Sequence, residues 1–465
     1  MRTKLWQGLG TVPNGIKDYA FRTFLLLYYN QVLGLPASQA SFALLIALIF
    51  DAISDPVVGS YSDNLRHRMG RRHPLMMASV IPLGLSIFFL FAPQVAGEGA
   101  LFWWLLVFSV ATRVSLTFFN VPWNALYAEM SDDYTERSEL ISYRFAVIWV
   151  VGIAFSFSVF AFIFTASDDY PRGQLNPANY PLFAWTVSIV VVTGALLSTW
   201  FTRDQIPYLR HPLEDPGRFS FRTVATEAAR AIANRDFRIL FFAVLASSVV
   251  SGTNQALEIY MTTYFWGFSG EELRWMAISG TGGLIAFLTV IPLQARIDKK
   301  YLLVSCSIAI ALVTAMPVTL RLLDLAPPPG SAGIIVLVVG AATFVAYFVT
   351  IAIIMFASMV ADTLDVQELN TGLRQEGLFN SVITFSAKAT SGAGLLITGF
   401  LIDFVVGLPQ AAQLEHVTED MVLRLAVMDA YVVPLFNLVW MWLALRYSIT
   451  REQHEQVRAR LDGRA

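Results

Sequence analysis

Long runs of apolar residues recur along the whole chain, and short polar segments separate them. A helix needs about 20 residues to cross roughly 30 Å of hydrocarbon. Runs of about this length lie near residues 14–34, 40–61, 74–94, 101–128, 140–166, 180–202, 238–266, 272–293, 301–322, 333–360, 378–405 and 422–447. They are too long for the alternating strands of about ten residues that form outer-membrane barrels. The pattern therefore predicts an all-α membrane protein with about twelve transmembrane helices, called spans one to twelve below.

Basic residues occur in alternate polar segments. DNLRHRMGRRHP follows span two, ARIDKKY follows span eight, and the last fifteen residues contain further arginines. The segments QVLGLPASQAS, APQVAGEGA and DLAPPPGSAG contain no Lys or Arg. Because Lys and Arg are enriched in cytoplasmic loops, we expect both termini and the basic segments to be cytoplasmic. The predicted location is the inner membrane of a bacterium.

The longest polar stretch, 203–237, divides the chain into two halves of six spans each. We predict an N-terminal bundle over 1–202, a cytoplasmic middle loop over 203–237, a C-terminal bundle over 238–447 and a cytoplasmic tail over 448–465. The basic segment after span two has a counterpart after span eight, at the same place in the second half. Paired halves of this kind predict a major facilitator fold with two pseudo-symmetric bundles.

Composition narrows the possible functions. The chain is 56% hydrophobic and only 14% charged, and its formal net charge is −2, so neither nucleic acid nor a strongly charged partner is expected. The single cysteine, Cys306, lies in an apolar run, and no GxxxxGK[ST] phosphate loop occurs. We therefore expect no enzyme and no bound cofactor, and a transporter that contacts the lipid bilayer and a small-molecule substrate. The expected oligomeric state is a monomer.

Ionisable residues inside the spans are the candidate functional groups, because each is costly in hydrocarbon and needs a partner or water. Asp51 and Asp55 lie in span two at a spacing of i, i+4, which places both carboxylates on one helix face. Two adjacent carboxylates repel unless a cation or a proton lies between them, and Ser54 offers a neutral oxygen beside them. The pair predicts a site for a monovalent cation, although fixed basic partners are an alternative.

Further polar residues lie within the other spans. In span four, Arg113, Thr117 and Asn120 share one stripe, and Arg113 either neutralises the span-two carboxylates or meets an anionic substrate. Trp123 is a candidate for flanking a cavity. Lys388 either pairs with Asp51 or Asp55 or has a direct functional role. The remaining charged candidates are Lys17, Asp18, Arg22, Arg144 and Glu258, and within this set Asp18 and Arg22 have the spacing of a helical ion pair.

Several segments resemble, in order, the glycoside–pentoside–hexuronide:cation symporters, which are the melibiose permease family. These segments are GIKDYAF, DAISDPVVGSYSDNLRHRMGRRHP, NVPWNAL and MVADTLDVQELNTGLRQEGLF. The resemblance extends to about position 405. It implies two six-helix bundles around a central cavity, and uptake of a sugar or related solute driven by co-moving Na⁺, H⁺ or Li⁺.

The resemblance also implies roles for individual residues. The cation site would comprise Asp51, Ser54, Asp55 and Thr117. The positions that contact sugar would be Lys17, Asp18, Asn120, Asn124, Arg144 and Lys388.

The chain departs from the family at several of these positions. Ser54 replaces an asparagine of the family's Na⁺ site, Asn120 replaces an acidic residue, and Asn124 replaces an aromatic one. Arg113 and Glu258 are charges that the sugar permeases do not lead us to expect. These departures leave the resemblance to the family in place but argue against melibiose itself as the substrate.

Three functions remain open from the sequence. The leading hypothesis is cation-coupled symport of a glycoside or a related organic solute, neutral or anionic. The second is transport of a lysophospholipid, another amphiphile or an organic anion on the same fold. The third is a membrane receptor or scaffold that does not transport, and the charges retained inside the spans argue against it.

Overall fold

The computed structural model describes residues 2–130, 133–208, 232, 234–371, 376–411, 416–461 and 463, and within them it contains helices and no strand. The α-helices are α1 (Arg2–Leu9), α2 (Thr11–Ala20), α3 (Ala37–Asn64), α4 (His73–Phe91), α5 (Glu98–Met130), α6 (Tyr134–Ser158), α7 (Tyr180–Phe201), α8 (Arg235–Tyr260), α9 (Gly270–Leu273), α10 (Thr281–Arg296), α11 (Lys299–Leu322), α12 (Ala332–Thr371), α13 (Glu376–Phe400), α14 (Glu419–Val427), α15 (Val433–Leu435), α16 (Asn437–Leu445) and α17 (Arg451–Leu461). Short 3₁₀ helices cover Gly173–Leu175, Pro177–Asn179, Arg203–Tyr208 and Arg274–Gly280.

Among the described residues, ten helical segments are long and apolar enough to cross a membrane, and Thr390–Val406 is a shorter apolar one. The first predicted span is helical as far as Val32, although Lys17, Asp18 and Arg22 make it less apolar than the others. The structure thus confirms the prediction of an all-α membrane protein. Large side chains such as Leu288, Phe162 and Val336 are more than 70% exposed, as expected of surfaces that face lipid.

In the part of the chain that the structure describes, six segments within the spans are wound as π-helix, which the apolar pattern did not predict. They are Phe21–Leu25, Tyr28–Val32, Val159–Ile163, Met261–Phe265, Leu401–Val406 and Met428–Val432. In such segments each backbone N–H bonds five residues back instead of four. A run of apolar residues looks the same in either winding, so the sequence carried no signal for them.

The first compact unit comprises Met1–Phe219, Glu258–Ala277 and Leu395–Met421. Within it α5 packs against α3 and α4, and α7 packs against α4 and α2. Aromatic rings fill its interior: Phe24 lies 4.7 Å from Phe164 and 4.8 Å from Phe183, and Tyr28 stacks on Tyr180 at 3.8 Å between ring centroids. This packing fixes the helices that carry most of the predicted site residues.

The second compact unit comprises Ser220–Leu257, Ile278–Gly394 and Val422–Ala465. Within it α12 packs against α10 and α11, around buried apolar side chains that include Leu240, Ile351, Met355 and Trp440. Cys306 is buried in the same core.

The predicted division into two bundles, a middle loop and a tail stays a prediction. Most of the predicted middle loop, 209–231, lies outside the described residues. The predicted tail contains the helix α17.

Candidate cation and substrate sites

Asp51 and Asp55, the carboxylates predicted to bind a cation, lie one turn apart on α3 and meet the hydroxyl of Thr117 on α5. Thr117 Oγ1 lies 3.2 Å from Asp51 Oδ1 and 3.1 Å from Asp55 Oδ1. Ser54 Oγ lies 3.2 Å from the same hydroxyl and donates to the Asp51 carbonyl at 3.0 Å. The structure therefore brings together the four residues predicted for the cation site.

The local sequence adds another oxygen to this level of α3. Pro56 lies inside the helix and has no N–H to donate to the carbonyl of Ala52, one turn earlier. Thr117 has a single hydroxyl proton, so it can be donated to only one of the two carboxylates at a time. An arrangement of carboxylate, hydroxyl and carbonyl oxygens is suited to a small hard cation, and the carboxylates can alternatively share a proton.

Arg113 lies one turn before Thr117 on α5, and its guanidinium approaches the same carboxylates. Arg113 Nη1 is 3.6 Å from Asp51 Oδ2, which is ion-pair distance but longer than a normal hydrogen bond. The arginine is 9% exposed, and its Nε is buried without a hydrogen-bond acceptor among the described residues. Of the two roles predicted for Arg113, partial neutralisation of Asp51 is the one visible in this geometry.

Lys17 and Asp18 of α2 form an ion pair with each other. Lys17 is 4% exposed, whereas the side chain of Asp18 is 58% exposed and also accepts a hydrogen bond from Asn14 at 2.9 Å. Arg22, which has the spacing to pair with Asp18, is exposed. The ring of Phe21 lies 5.5 Å from Lys17 Nζ and 5.4 Å from Arg113 Cζ. It therefore contacts both the Lys17–Asp18 pair and the arginine beside the predicted cation site.

Arg144 of α6 is the centre of a second polar cluster, which contains three of the other predicted residues. Its guanidinium donates to Asn124 Oδ1 at 3.3 Å and to the Trp123 carbonyl at 3.4 Å, and Asn124 donates to Asn120 Oδ1 at 3.3 Å. Gln7 of α1 accepts from Arg144 Nε at 3.0 Å. This cluster places the amides of Asn124 and Gln7 in contact with the Arg144 guanidinium, and Asn120 in contact with Asn124.

Trp123 is buried, with only 4% of its surface exposed. Its indole N–H donates to the Gln7 carbonyl at 3.0 Å, and the Arg144 guanidinium stacks on its ring at 3.6 Å. Gly10 has no room for a side chain, because a Cβ there would lie 1.9 Å from the indole nitrogen. Trp123 thus packs against the Arg144 guanidinium, and its predicted role of flanking a cavity stays a prediction.

Ion pairs attach helix α1 to α6, and this attachment positions Gln7 beside Arg144. Lys4 Nζ lies 2.5 Å from Glu139 and 3.2 Å from Glu136. The hydrogen bond to Glu139 raises the pKa of Lys4 above its usual value.

Glu258 and Lys388 complete the predicted set. Glu258 is exposed and belongs to the first compact unit. Lys388 is half-buried in α13, in the second unit, and its carbonyl accepts from Ser391 Oγ at 2.9 Å. The predicted pairing of Lys388 with Asp51 or Asp55 stays a prediction.

Sequence reasoning missed a buried ion cluster at the end of α3. Arg72 Nη2 lies 2.6 Å from Asp63 and 2.8 Å from Glu129 Oε1, and its Nη1 donates to Ser62 Oγ at 2.9 Å. Arg71 also reaches Glu129 at 2.8 Å. The basic segment after span two predicts the orientation of the chain but not this cluster. Glu129, near the end of α5, is the signal in the sequence that these arginines have an acidic partner.

A second polar cluster that the sequence did not predict lies just before the beginning of α3. This helix has 28 residues and is therefore about 40 Å long. Tyr260 donates to Asn30 at 3.2 Å, and Tyr264 donates to Gln31 at 2.6 Å. Asn30 is fully buried and Gln31 is 4% exposed. These contacts attach the segment 258–277 to the N-terminal helices within the first unit. Because the residues are separated by more than 200 positions, no local pattern predicted them.

Comparison with known protein families gives one match over most of the chain. A family described as MFS/sugar transport protein matches residues 6–451. An uncharacterised symporter from Synechocystis is 24% identical, over 99% of this chain and 96% of its own length. The glucuronide carrier protein homolog of Escherichia coli is 22% identical, over 100% of this chain and 96% of its own length.

Two further similarities are more limited. The sodium-dependent lysophosphatidylcholine symporter 1 of Gallus gallus is 29% identical, but only over 42% of this chain and 38% of its own length. Among solved structures, the xylose transporter XylE from E. coli superposes with a TM-score of 0.60 at 12% identity, covering 97% of this chain and 96% of that one. This similarity shows a shared fold, the one that the paired halves of the sequence predicted.

Proposed function

Because the chain belongs to the MFS/sugar transport protein family, we propose that it carries a glycoside or related organic solute together with a monovalent cation. The chain is a secondary transporter and not an enzyme. The proposal concerns its cargo and its energy source, which are a sugar-like molecule and a gradient of Na⁺ or H⁺.

The observation that carries the proposal is the position of the Thr117 hydroxyl, within 3.2 Å of carboxylate oxygens from both Asp51 and Asp55. Two carboxylates that both lie within 3.2 Å of one hydroxyl oxygen repel each other when both are ionised. A cation or a proton between them removes that repulsion and stabilises the conformation in which they are close. In the same conformation Lys17, which pairs with Asp18, and Arg113 both lie beside the Phe21 ring.

Coupling follows if the solute also binds best to that conformation. Each ligand then raises the affinity for the other by the same factor, typically about 5- to 150-fold. The polar groups proposed to bind the solute are the Lys17–Asp18 pair and the cluster of Asn120, Asn124 and Arg144. Lys388 is proposed as a further contact of the solute.

The proposed setting is the inner membrane of a bacterium, with both termini in the cytoplasm. The distribution of Lys and Arg between alternate loops supports it. It places the Arg72–Glu129 cluster on the cytoplasmic side and the Tyr260–Asn30 contact on the opposite side.

A second candidate cargo is a lysophospholipid. The similarity to a lysophosphatidylcholine symporter, which covers 42% of this chain, favours it. The similarity to a glucuronide carrier homolog covers the whole chain, so a sugar-like solute is the preferred cargo.

The test is uptake and binding with purified protein in liposomes. A panel of glycosides, uronides and lysophospholipids is offered with and without a Na⁺ gradient, and with and without a pH gradient. We expect a sugar-like ligand to accumulate only with one of these gradients. Accumulation independent of both, or binding without any uptake, would contradict the symport proposal, and the second result would indicate a receptor.

Two variants connect the result to the site. Asp55→Asn and Thr117→Val are expected to abolish the dependence of ligand affinity on the cation. The matched control is Thr112→Val, because Thr112 is also buried on α5 but its hydroxyl donates only to the Phe108 carbonyl, at 2.8 Å. A cation dependence that survives in Asp55→Asn would show that the carboxylates are not the coupling site.

A further inference from the structure

A polar cavity lies in the second compact unit, where α10 ends and α11 and α17 begin. Its volume is about 370 Å³, within the range of about 300–1,000 Å³ that is usual for small-molecule sites. Residues of α10, α11, α12 and α17 line it, and all of them belong to this unit. None of the described residues that line it is proposed to bind the solute or the coupling cation.

Most of the charged groups that line the cavity are paired with one another. Lys299 Nζ lies 2.6 Å from Asp362 Oδ2, and Arg451 Nε lies 3.2 Å from Glu455 Oε1. His454 Nε2 lies 3.4 Å from Asp362 Oδ1. These groups have partners already, so a ligand is not needed to satisfy them.

Lys300 and Asp298 line the same cavity and have no such partner. Lys300 Nζ lies 3.5 Å from the Tyr447 carbonyl and 5.3 Å from the centre of the Tyr301 ring, and it forms no ion pair with a described residue. Asp298 precedes α11 without a capping bond from its side chain, and its carboxylate forms no hydrogen bond or ion pair with a described residue. Both residues are half-buried, and a charged group that loses water without gaining a partner costs free energy. The cavity thus offers one cation and one carboxylate to a ligand.

An apolar stripe on α10 leads from the lipid-facing surface to this cavity. Leu284, Leu288 and Ile291 have the spacing i, i+4, i+7 and therefore share one helix face. They are 43%, 80% and 67% exposed, and Ile291 also lines the cavity. The stripe lies in a segment long and apolar enough to cross a membrane, where exposed apolar side chains face lipid chains. An acyl chain along the stripe would bring its headgroup to the cavity, which favours a lipid over a soluble ligand.

We propose that this cavity binds the headgroup of a phospholipid that carries a primary ammonium group, such as phosphatidylethanolamine. The phosphodiester accepts a hydrogen bond from Lys300 Nζ, and the ammonium donates to the Asp298 carboxylate. Polar pockets between spans are a known kind of headgroup site. The lipid is a bound component of the membrane and not the cargo, so the inference does not depend on the proposed solute or coupling ion.

The charges of the cavity favour this headgroup over the other common ones. A choline nitrogen has no N–H and cannot donate to Asp298. A phosphatidylglycerol headgroup has no cation and would place its negative charge beside that carboxylate without compensation. A headgroup without net charge fits the formal balance of the described residues that line the cavity, in which three cations face three carboxylates: Lys299, Lys300 and Arg451 against Asp298, Asp362 and Glu455.

The experiment measures lipid binding to the delipidated, full-length purified protein by native mass spectrometry. The probes are phosphatidylethanolamine, phosphatidylcholine and phosphatidylglycerol with identical acyl chains. We expect phosphatidylethanolamine to bind about 10-fold more tightly than the other two, since only it makes a charge-assisted hydrogen bond to Asp298. Equal binding of the three lipids to the wild type would overturn the inference, whether or not any variant folds.

Two variants connect the preference to the cavity. Asp298→Asn should remove the preference for phosphatidylethanolamine over phosphatidylcholine, and Lys300→Gln should weaken the binding of all three lipids. The controls are Glu452→Gln and Arg446→Gln, which remove exposed charges from the same unit at residues that do not line the cavity. A preference that survives in a folded Asp298→Asn, or that is lost equally in the controls, would place the lipid elsewhere and overturn the assignment.

Soluble probes separate a lipid from a free phosphate compound. Phosphoethanolamine and inorganic phosphate contain the same phosphate chemistry without acyl chains, and we expect neither to displace the bound lipid at equal concentration. Displacement by either would show a site for a soluble ligand and overturn the role of the α10 stripe. All of these measurements are made without sugar and without a gradient, so their outcome is independent of the symport test.

Discussion

The carboxylate of Asp403 accepts the backbone N–H of Ser38 at 2.7 Å, although the two residues are 365 positions apart in the chain. Its second oxygen accepts the N–H of Ala37 at 3.1 Å. These N–H groups belong to the first turn of α3 and have no carbonyl partner inside the helix. Pro36, which precedes the helix, offers no side-chain acceptor. A distant carboxylate thus caps the helix that carries Asp51 and Asp55.

Asp403→Ala should destabilise the start of α3 by about 1 kcal/mol, as the loss of an N-cap does. Asp403→Asn should cost less, since one oxygen can still accept. Hydrogen exchange of the amides at 37–40 measures the effect. Asp298→Asn is the control, because Asp298 precedes α11 without a capping bond from its side chain. Unchanged exchange at 37–40 in Asp403→Ala would contradict the capping role.

Gly399→Ala should destabilise the protein by about 1–3 kcal/mol, the usual cost of overpacking. A Cβ at Gly399 would lie 2.0 Å from Ser41 Oγ and 2.4 Å from the Ala37 carbonyl, so α3 and the end of α13 would have to separate. Thermal unfolding of the purified protein measures the change. Gly152→Ala should be neutral or stabilising, because no described atom lies within 4 Å of a Cβ there and alanine favours a helix. Equal effects of the two substitutions would refute this reading of the packing.

Arg72→Ala should be destabilising, by about 1–3 kcal/mol, because it removes one of the two arginines that donate to the Glu129 carboxylate and leaves only Arg71. Arg72→Lys should recover only part of the loss, since one ammonium group cannot replace a fork that contacts Ser62, Asp63 and Glu129 together. The free energy of unfolding of the variants tests both statements. Arg66→Lys, in the same segment but exposed, should have little effect. Full recovery by lysine would show that charge alone matters.

Asp365→Asn should weaken the attachment of the C-terminal helix α17 to α12, and only the contact of His454 with Asp362 at 3.4 Å would remain of these side-chain contacts. Asp365 lies 3.0 Å from His454 Nε2 and 3.6 Å from Arg458 Nη1, and its side chain is 13% exposed. Faster proteolysis of 451–461 is the expected result. Glu455→Gln removes only an exposed pair with Arg451, which contributes little to stability, and should leave the cleavage rate unchanged. Similar rates in the two variants would show that this ion pair does not fasten the helix.

The proximity of Asp51, Asp55 and Thr117 could be expected from the sequence because its determinants are local, whereas the binding of a cation there stays a prediction. A spacing of four residues places Asp51 and Asp55 on one face of any helix, and the same argument groups Arg113 with Thr117. The structure then needed only to pack α3 against α5 for the four predicted residues to meet. The all-helical fold was predictable for the same reason, since span length and apolar content are read within about 20 residues.

Other features depend on contacts between distant segments and could not be predicted. The burial of Trp123 follows from α1 packing beside α5 and α6, and that packing depends on Lys4, Gln7 and Gly10. Asp403 and the Tyr260–Asn30 contact involve partners hundreds of positions apart. The π-helical segments depend on how neighbouring helices pack, which the apolar pattern does not record.

The π-helical segments give the Tyr264–Gln31 contact a property that an α-helix would lack. Gln31 lies in Tyr28–Val32 and Tyr264 lies in Met261–Phe265. Rewinding either segment to α-helix shifts the residues beyond it by one position, which is a rotation of about 100° at 3.6 residues per turn. A side chain can thereby leave its partner while the helix stays hydrogen-bonded throughout. The contact can therefore open by rotation of one segment about its own helix axis, without separation of the two helices.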